Sequence, residues 1–182
     1  MPVAIVLGFD VESTAIINEV FKKLKGRKFT SYYEFVMPHI TLTSYETIDF
    51  QIITERLTQL CNNFAPFRIQ FSSFGYFPSE ESVLFLSPKA DIDLLDIRQK
   101  VLEGFEDFQA GNPLRAWVPH CTLALEVPLK KLGEAIGLVK EDIVMMKGAP
   151  FCVEAESIYS VEFTVDPLTI ISTDEYKLKA TE

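Results

Sequence analysis

Apolar positions come in two alternating rhythms along the chain. Val3 to Phe9 is a short apolar run of the kind that forms a buried strand. From about Val11 to Lys25 the period changes. Ile16, Ile17, Val20, Phe21 and Leu24 recur at spacings of three and four, while Lys22, Lys23 and Lys25 fall largely outside that stripe, which predicts an amphipathic helix. A strand through His39, a helix over about Asp49 to Asn62 and a strand beginning at Phe67 come next. The cycle then starts again. Ser82 to Leu86 reads as a strand. Asp91 to Phe108 reads as a helix, carrying Leu94, Leu95, Ile97, Val101, Leu102 and Phe105, with Asp91 or Asp93 able to cap it. A strand through His120, a helix over about Leu129 to Val139 and a strand from Phe151 complete the second round. In the tail, Val161 to Leu178, Asp166-Pro167 interrupts an apolar run and predicts a closing hairpin.

The rounds also resemble each other letter by letter. VMPHITLTSYE (36 to 46) aligns with WVPHCTLALEV (117 to 127), and His39 and His120 are 81 residues apart, as are Asp10 and Asp91. Ala65-Pro66-Phe67 recurs as Ala149-Pro150-Phe151 with a slip of only three residues. Internal duplication is the reading that explains a register kept over so long a stretch. The expected fold is therefore α+β and bilobal. Two pseudo-symmetric β-α-β-α-β lobes, over about 1–80 and about 81–165, carry mostly antiparallel sheets that face a central groove, and 166–182 forms a closing segment. At 182 residues the whole chain is expected to be a single domain.

Composition narrows the partners. A formal net charge of −9 argues against a protein that grips long nucleic acid through its phosphates, which normally needs a basic face. A small anion held locally stays open, with Arg27, Lys28, Arg115, Lys130 and Lys131 as sources of positive charge. No apolar run reaches the length of a membrane span, and Met1 to Phe9 lacks the basic start of a secretory signal, so no membrane partner and a cytoplasmic location are expected. Cys61, Cys121 and Cys152 are an odd number at long spacings, which fits buried reduced thiols rather than a disulfide framework.

Strand alternation places His39, Thr41 and Thr43 on one face, opposite Ile40 and Leu42; in the second copy His120, Thr122 and Ala124 oppose Cys121, Leu123 and Leu125. Each strand thus presents an imidazole beside a hydroxyl. The chain has no other histidine. Two imidazoles can divide acid and base work near neutral pH, one taking a proton while the other gives one, and the threonines can donate hydrogen bonds to phosphate oxygens. Two histidines without a third or a well-spaced carboxylate fall short of a metal-ligand set, and the glycines form no phosphate-cradling loop, so no metal and no cofactor are expected.

Paired Pro-His-x-Thr-Leu segments (HxTL motifs) in a duplicated chain of this size resemble the two-histidine (2H) phosphoesterase superfamily, which includes bacterial 2′-5′ RNA ligase and cyclic phosphodiesterase-like proteins. The likeness covers roughly Val3 to Thr164. It implies metal-independent chemistry at a 2′ or cyclic phosphate, with His39 and His120 catalytic and Thr41 and Thr122 binding phosphate. The expected ligand is a small nucleotide or short oligonucleotide bearing a 2′ or cyclic phosphate, and the leading function is hydrolysis of a short 2′,3′-cyclic or 2′-5′ linked phosphoester. The alternatives are 2′-5′ RNA ligation, and a non-catalytic nucleotide- or phosphate-binding module using the same groove.

Around the motifs, Trp117 can stack a base or plug the core, Arg115 can fork onto phosphate or sit solvated in a loop, and Tyr33 is one of three aromatics, with Tyr32 and Phe35, in the equivalent stretch before His39. Phe67, Phe71, Phe74, Tyr76 and Phe77 read as strand and core positions rather than as an RNA platform.

Overall fold

The computed structural model describes residues 1–30, 37–111, 116–147, 151–165 and 168–179, with side chains undescribed from 144 to 147. Strands and helices run in the order β1 (Val3–Phe9), α1 (Val11–Gly26), β2 (His39–Tyr45), α2 (Phe50–Cys61), β3 (Phe67–Phe77), β4 (Glu81–Pro88), α3 (Ile92–Gly104), β5 (Cys121–Pro128), α4 (Leu132–Lys147), β6 (Phe151–Val165) and β7 (Leu168–Lys177). Two bounds differ from the sequence pattern. The helix from Asp91 stops at Gly104 rather than Phe108, because Phe105 turns inward to 1% exposure. The helix from Leu129 opens with a tight turn over Leu129–Lys131 and then runs on to Lys147, with Ile143 still buried beyond Val139.

Each first helix begins at an aspartate whose carboxylate accepts a free backbone N–H, as the open first turn requires. Asp10 accepts from Ser13 N at 2.8 Å, and Asp91 from Leu94 N at 3.4 Å. Asp10 also accepts from Glu154 N at 3.0 Å, so it ties α1 to β6. The stripes Ile17, Val20, Phe21, Leu24 and Leu94, Ile97, Val101 are buried, each side chain contributing about 1.5–3 kcal/mol.

The strands make one antiparallel sheet in the order β2-β1-β6-β3-β4-β5, with β7 added to β6. It has two arms. β3 and β6 pair only over Phe67–Phe71 and Phe151–Ala155; beyond that ladder β6 turns to β1 and β7, and β3 turns to β4. The first half's β1 and β2 are therefore completed by a strand of the second half, and the second half's β4 and β5 by a strand of the first. Helices cross over too: α1 packs on β5 and α4, and α3 on β2 and α2. The edge strands β2 and β5, furthest apart in the order, approach each other in space. The two arms thus bring the histidine segments together at their free edges.

Asp10 carries a testable part of this. Burial works to raise its carboxyl, but hydrogen bonds from Ser13 and the Glu154 backbone outweigh that and hold it below the ordinary 3.8. A carboxyl depressed in the folded state stabilises the fold above its unfolded pKa, and that contribution is lost as pH falls through the folded value. Asp10→Ala is expected to cost about 1–2 kcal/mol at pH 7 by urea denaturation, with the gap to wild type closing below pH 3.8. A gap independent of pH would show that the cap charge does not act.

Candidate functional site

His39 opens β2 and His120 lies immediately before β5. In both cases the Pro-His geometry folds the ring back onto the main chain. His39 Nδ1 lies 2.8 Å from the carbonyl oxygen of Met37, and His120 Nδ1 lies 2.7 Å from that of Val118. A carbonyl only accepts, so each Nδ1 must carry the hydrogen it donates. In the neutral form Nε2 is then the basic nitrogen of both rings. Neither carbonyl is visible as chemistry in the sequence, although Met37 and Val118 stand at matching places before the two histidines.

A repeated irregularity governs the strand beyond each ring. On β2, Thr41 pairs with Val6 but Thr43 with Ile5, so Leu42 is an extra residue; on β5, Thr122 pairs with Phe85 but Ala124 with Leu84, so Leu123 is the extra one. Such a bulge reverses the alternation past it. Thr41 and Thr122 keep the histidine face, whereas Thr43 and Ala124 lie opposite the fully buried Ile5 and Leu84 on the core side. The simple alternation that put Thr43 and Ala124 beside their histidines therefore fails at both strands, for the same reason.

The seam between β2 and β5 is bonded. The Trp117 indole N–H donates to the Thr41 carbonyl at 2.9 Å, and the Arg98 guanidinium lies 4.4 Å above the Trp117 ring. Trp117 thus links the approach to one motif with the strand of the other. Cys121, fully buried, is hydrogen-bonded with the His39 backbone, and burial pushes its thiol up to about 12. Cys61 is buried as well, whereas Cys152 is only half-buried. Further along, Thr30 Oγ1 donates to the Leu125 carbonyl at 2.5 Å, and Gly111 N donates to the Ser44 carbonyl at 2.7 Å.

The surroundings of the two imidazoles differ. Burial pushes His39 below the ordinary 6.5; its bond to Met37 opposes this, and the charge of His120 adds to it. His39 and Thr122 both line a cavity of about 250 Å³, together with Val6, Met37, Leu125 and Val161. His120 instead packs edge-on to Phe77, with centroids 5.1 Å apart, and lies 5.2 Å from the Phe85 ring. Both phenylalanines sit outside the residues that the sequence pattern singled out as chemical. The one signal was register: Phe85 stands opposite Thr122 as Val6 stands opposite Thr41.

Tyr33 and Arg115, with Tyr32 and Phe35, lie outside the described residues. Of the other basic candidates, Lys131 Nζ donates to the Lys28 carbonyl at 3.3 Å, and Arg27, Lys28, Lys130 and Lys131 do not line the cavity. Among the described residues no three His, Cys, Asp or Glu side chains gather as a metal site, and no helix is long and apolar enough to cross a membrane.

Comparison with known proteins gives a concordant picture. A family model described as the 2′-5′ RNA ligase superfamily matches residues 13–177. A putative phosphoesterase of Bacillus pumilus is 21% identical over 117 residues, which are 63% of this chain and 67% of that protein. The crystal structure of TT0787 of Thermus thermophilus superposes with a TM-score of 0.66 over 98% of both chains at 16% identity. That of E. coli LigT complexed with 3′-AMP gives 0.55 over 98% of this chain and 97% of that one at 15% identity. At these identities the structural likeness establishes the fold.

The ring geometry is open to direct measurement. In ¹⁵N-edited spectra taken above the titration range, both neutral imidazoles are expected to carry their proton on Nδ1, and His39 is expected to titrate below 6.5. A proton on Nε2 of either ring would contradict the carbonyl anchors.

Proposed function

The chain belongs to the 2′-5′ RNA ligase superfamily, and from that premise we propose that it is a metal-independent phosphoesterase acting on a short 2′,3′-cyclic or 2′-5′ linked phosphoester. The observation that carries the reading is the matched anchoring of two imidazoles, each bonded through Nδ1 to the carbonyl two residues back. Such an anchor leaves Nε2 of each ring for proton transfer and spares the site any tautomeric change before reaction.

His39 resists a proton, since burial and the neighbouring imidazole both disfavour its charge. It is therefore assigned as the base of hydrolysis. Its Nε2 takes a proton from water, the water oxygen attacks phosphorus, the bond to the 2′ or 3′ oxygen breaks, and His120 as imidazolium gives its proton to that leaving oxygen. The product is a monoester, and the two rings return to their starting states by exchanging a proton with solvent. Thr41 and Thr122, kept on the histidine face by the bulges, are assigned to donate to the non-bridging oxygens as charge builds there. No residue here needs a metal to supply acid or base.

With a 5′ hydroxyl in place of water as the nucleophile, the same displacement would join it to a 2′,3′-cyclic phosphate, the 3′ oxygen leaving with the proton from His120. A net charge of −9 speaks against long RNA as the partner of that reaction, so hydrolysis of a small substrate is preferred. A small nucleotide ligand is in keeping with the 3′-AMP found with LigT.

In an assay containing EDTA, wild type is expected to open 2′,3′-cyclic nucleotides or cleave a 2′-5′ linked dinucleotide. His39→Ala and His120→Ala are each expected to lose about 10²–10⁴-fold in kcat, and Thr41→Val or Thr122→Val about 10²-fold, with folding unchanged by circular dichroism. The acid limb of kcat/KM should rise through a pKa below 6.5, because His39 must be neutral to act. Saturable nucleotide binding without product would move the protein to the binding-module reading.

A further inference from the structure

The two halves repeat the histidine, its carbonyl anchor, the threonine and the bulge, yet they treat the space beside the imidazole differently. Directly across from Thr122 on β4 stands Phe85; directly across from Thr41 on β1 stands Val6. Paired residues share a face, so these two occupy equivalent places beside the reacting groups. Phe85 fills its place. Its ring lies against His120 and 4.6 Å from Phe77, and it fits only because its partner on β3 is Gly75, where a Cβ would come within 2.3 Å of the ring. Val6 leaves its place open, and there the cavity containing His39 and Thr122 is found.

That cavity has a specific chemistry. Apart from His39 and Thr122 its lining is apolar, with Val6, Leu125, Val161 and Ile170 among its walls and Phe163 and Leu168 at the β6–β7 end. Among the described residues it offers no charged side chain and no side-chain amide to read a base edge. At about 250 Å³ it falls below the roughly 300–1,000 Å³ of sites that enclose a drug-sized ligand. One aromatic ring fits such a volume and a dinucleotide does not. The lining takes in one group from each motif, His39 and Thr122, so a ring seated in the cavity lies beside both.

We propose that this cavity is the subsite for a single nucleobase, placing the organic part of the phosphoester on the His39 side and holding it by apolar packing without hydrogen-bond readout of base identity. The proposal rests on the phosphoesterase reading and adds to it an orientation and a specificity: nucleoside phosphoesters are favoured over small aliphatic ones, with little discrimination among bases. Val6 is the specificity-determining residue, and the Phe85–Gly75 pair closes the equivalent space on the other side.

The test compares 2′,3′-cyclic AMP, 2′,3′-cyclic UMP and glycerol 1,2-cyclic phosphate in wild type, Val6→Phe and Ile170→Trp. Ile170 is a half-buried rim residue of β7, so its variant narrows the cavity without entering the core should Val6→Phe fail to fold. Wild type is expected to favour both cyclic nucleotides by about tenfold or more in kcat/KM, the scale of an apolar group seated in its pocket. Each variant is expected to remove that preference by raising KM for the two cyclic nucleotides more than for glycerol cyclic phosphate. A preference that survives both substitutions, or is absent from wild type, overturns the proposal. Titration of 3′-AMP and of glycerol phosphate, monitored by calorimetry, keeps the subsite separate from the chemistry. If wild type turns over nothing, weaker 3′-AMP binding in the variants still upholds the subsite and refutes only the enzyme reading, whereas unchanged 3′-AMP binding refutes the subsite.

Discussion

Exchange of the third strand between the halves is the constraint on which the geometry of the site depends. β6 finishes the arm begun by β1, β3 finishes the arm begun by β4, and the short ladder of Phe67–Phe71 with Phe151–Ala155 joins the two. Neither half can bury its apolar strand faces without the other. With α1 and α3 also crossing over, the free edges β2 and β5 are drawn together and bonded by Trp117 and Cys121. A seam that includes a half-buried indole N–H bonded to a main-chain carbonyl resists opening, because a lost bond would leave those polar groups unpaired. The segments that carry His39 and His120, distant in the chain, are thereby brought to one seam.

Matched anchors are set in mismatched surroundings. Both imidazoles are locked in one tautomer by a carbonyl two residues back, which is a local consequence of the shared Pro-His turn. Their environments are set by other strands. His39 sits beside an open apolar cavity and loses basicity through burial; His120 is wedged by Phe77 and Phe85. One repeated element is thus specialised by whatever the neighbouring strand places opposite it. Among the described residues the cavity wall carries no carboxylate.

Much of this was legible in the order of residues. A period near 3.6 in Ile17, Val20, Phe21 and Leu24 and again in Leu94, Ile97 and Val101 marked two helices, and Asp10 and Asp91 marked their starts, because helix formation and capping are local. Pro-His-x-Thr-Leu written twice pointed to paired imidazoles and hydroxyls, and the family match agrees with that likeness. What strand alternation could not reveal was the bulge at Leu42 and Leu123, since an extra residue exists only relative to a partner strand.

By itself, then, the sequence determined most of the elements and the residue types able to move protons, all of which depend on neighbours within a turn or a strand. Tertiary structure alone decided that Thr43 faces the core, that the Trp117 indole is bonded to β2, and that Val6 leaves open what Phe85 closes. Each of those outcomes turns on a residue more than thirty positions away in the chain, brought alongside by strand pairing or by the seam between β2 and β5, and no local pattern encodes which residue that is.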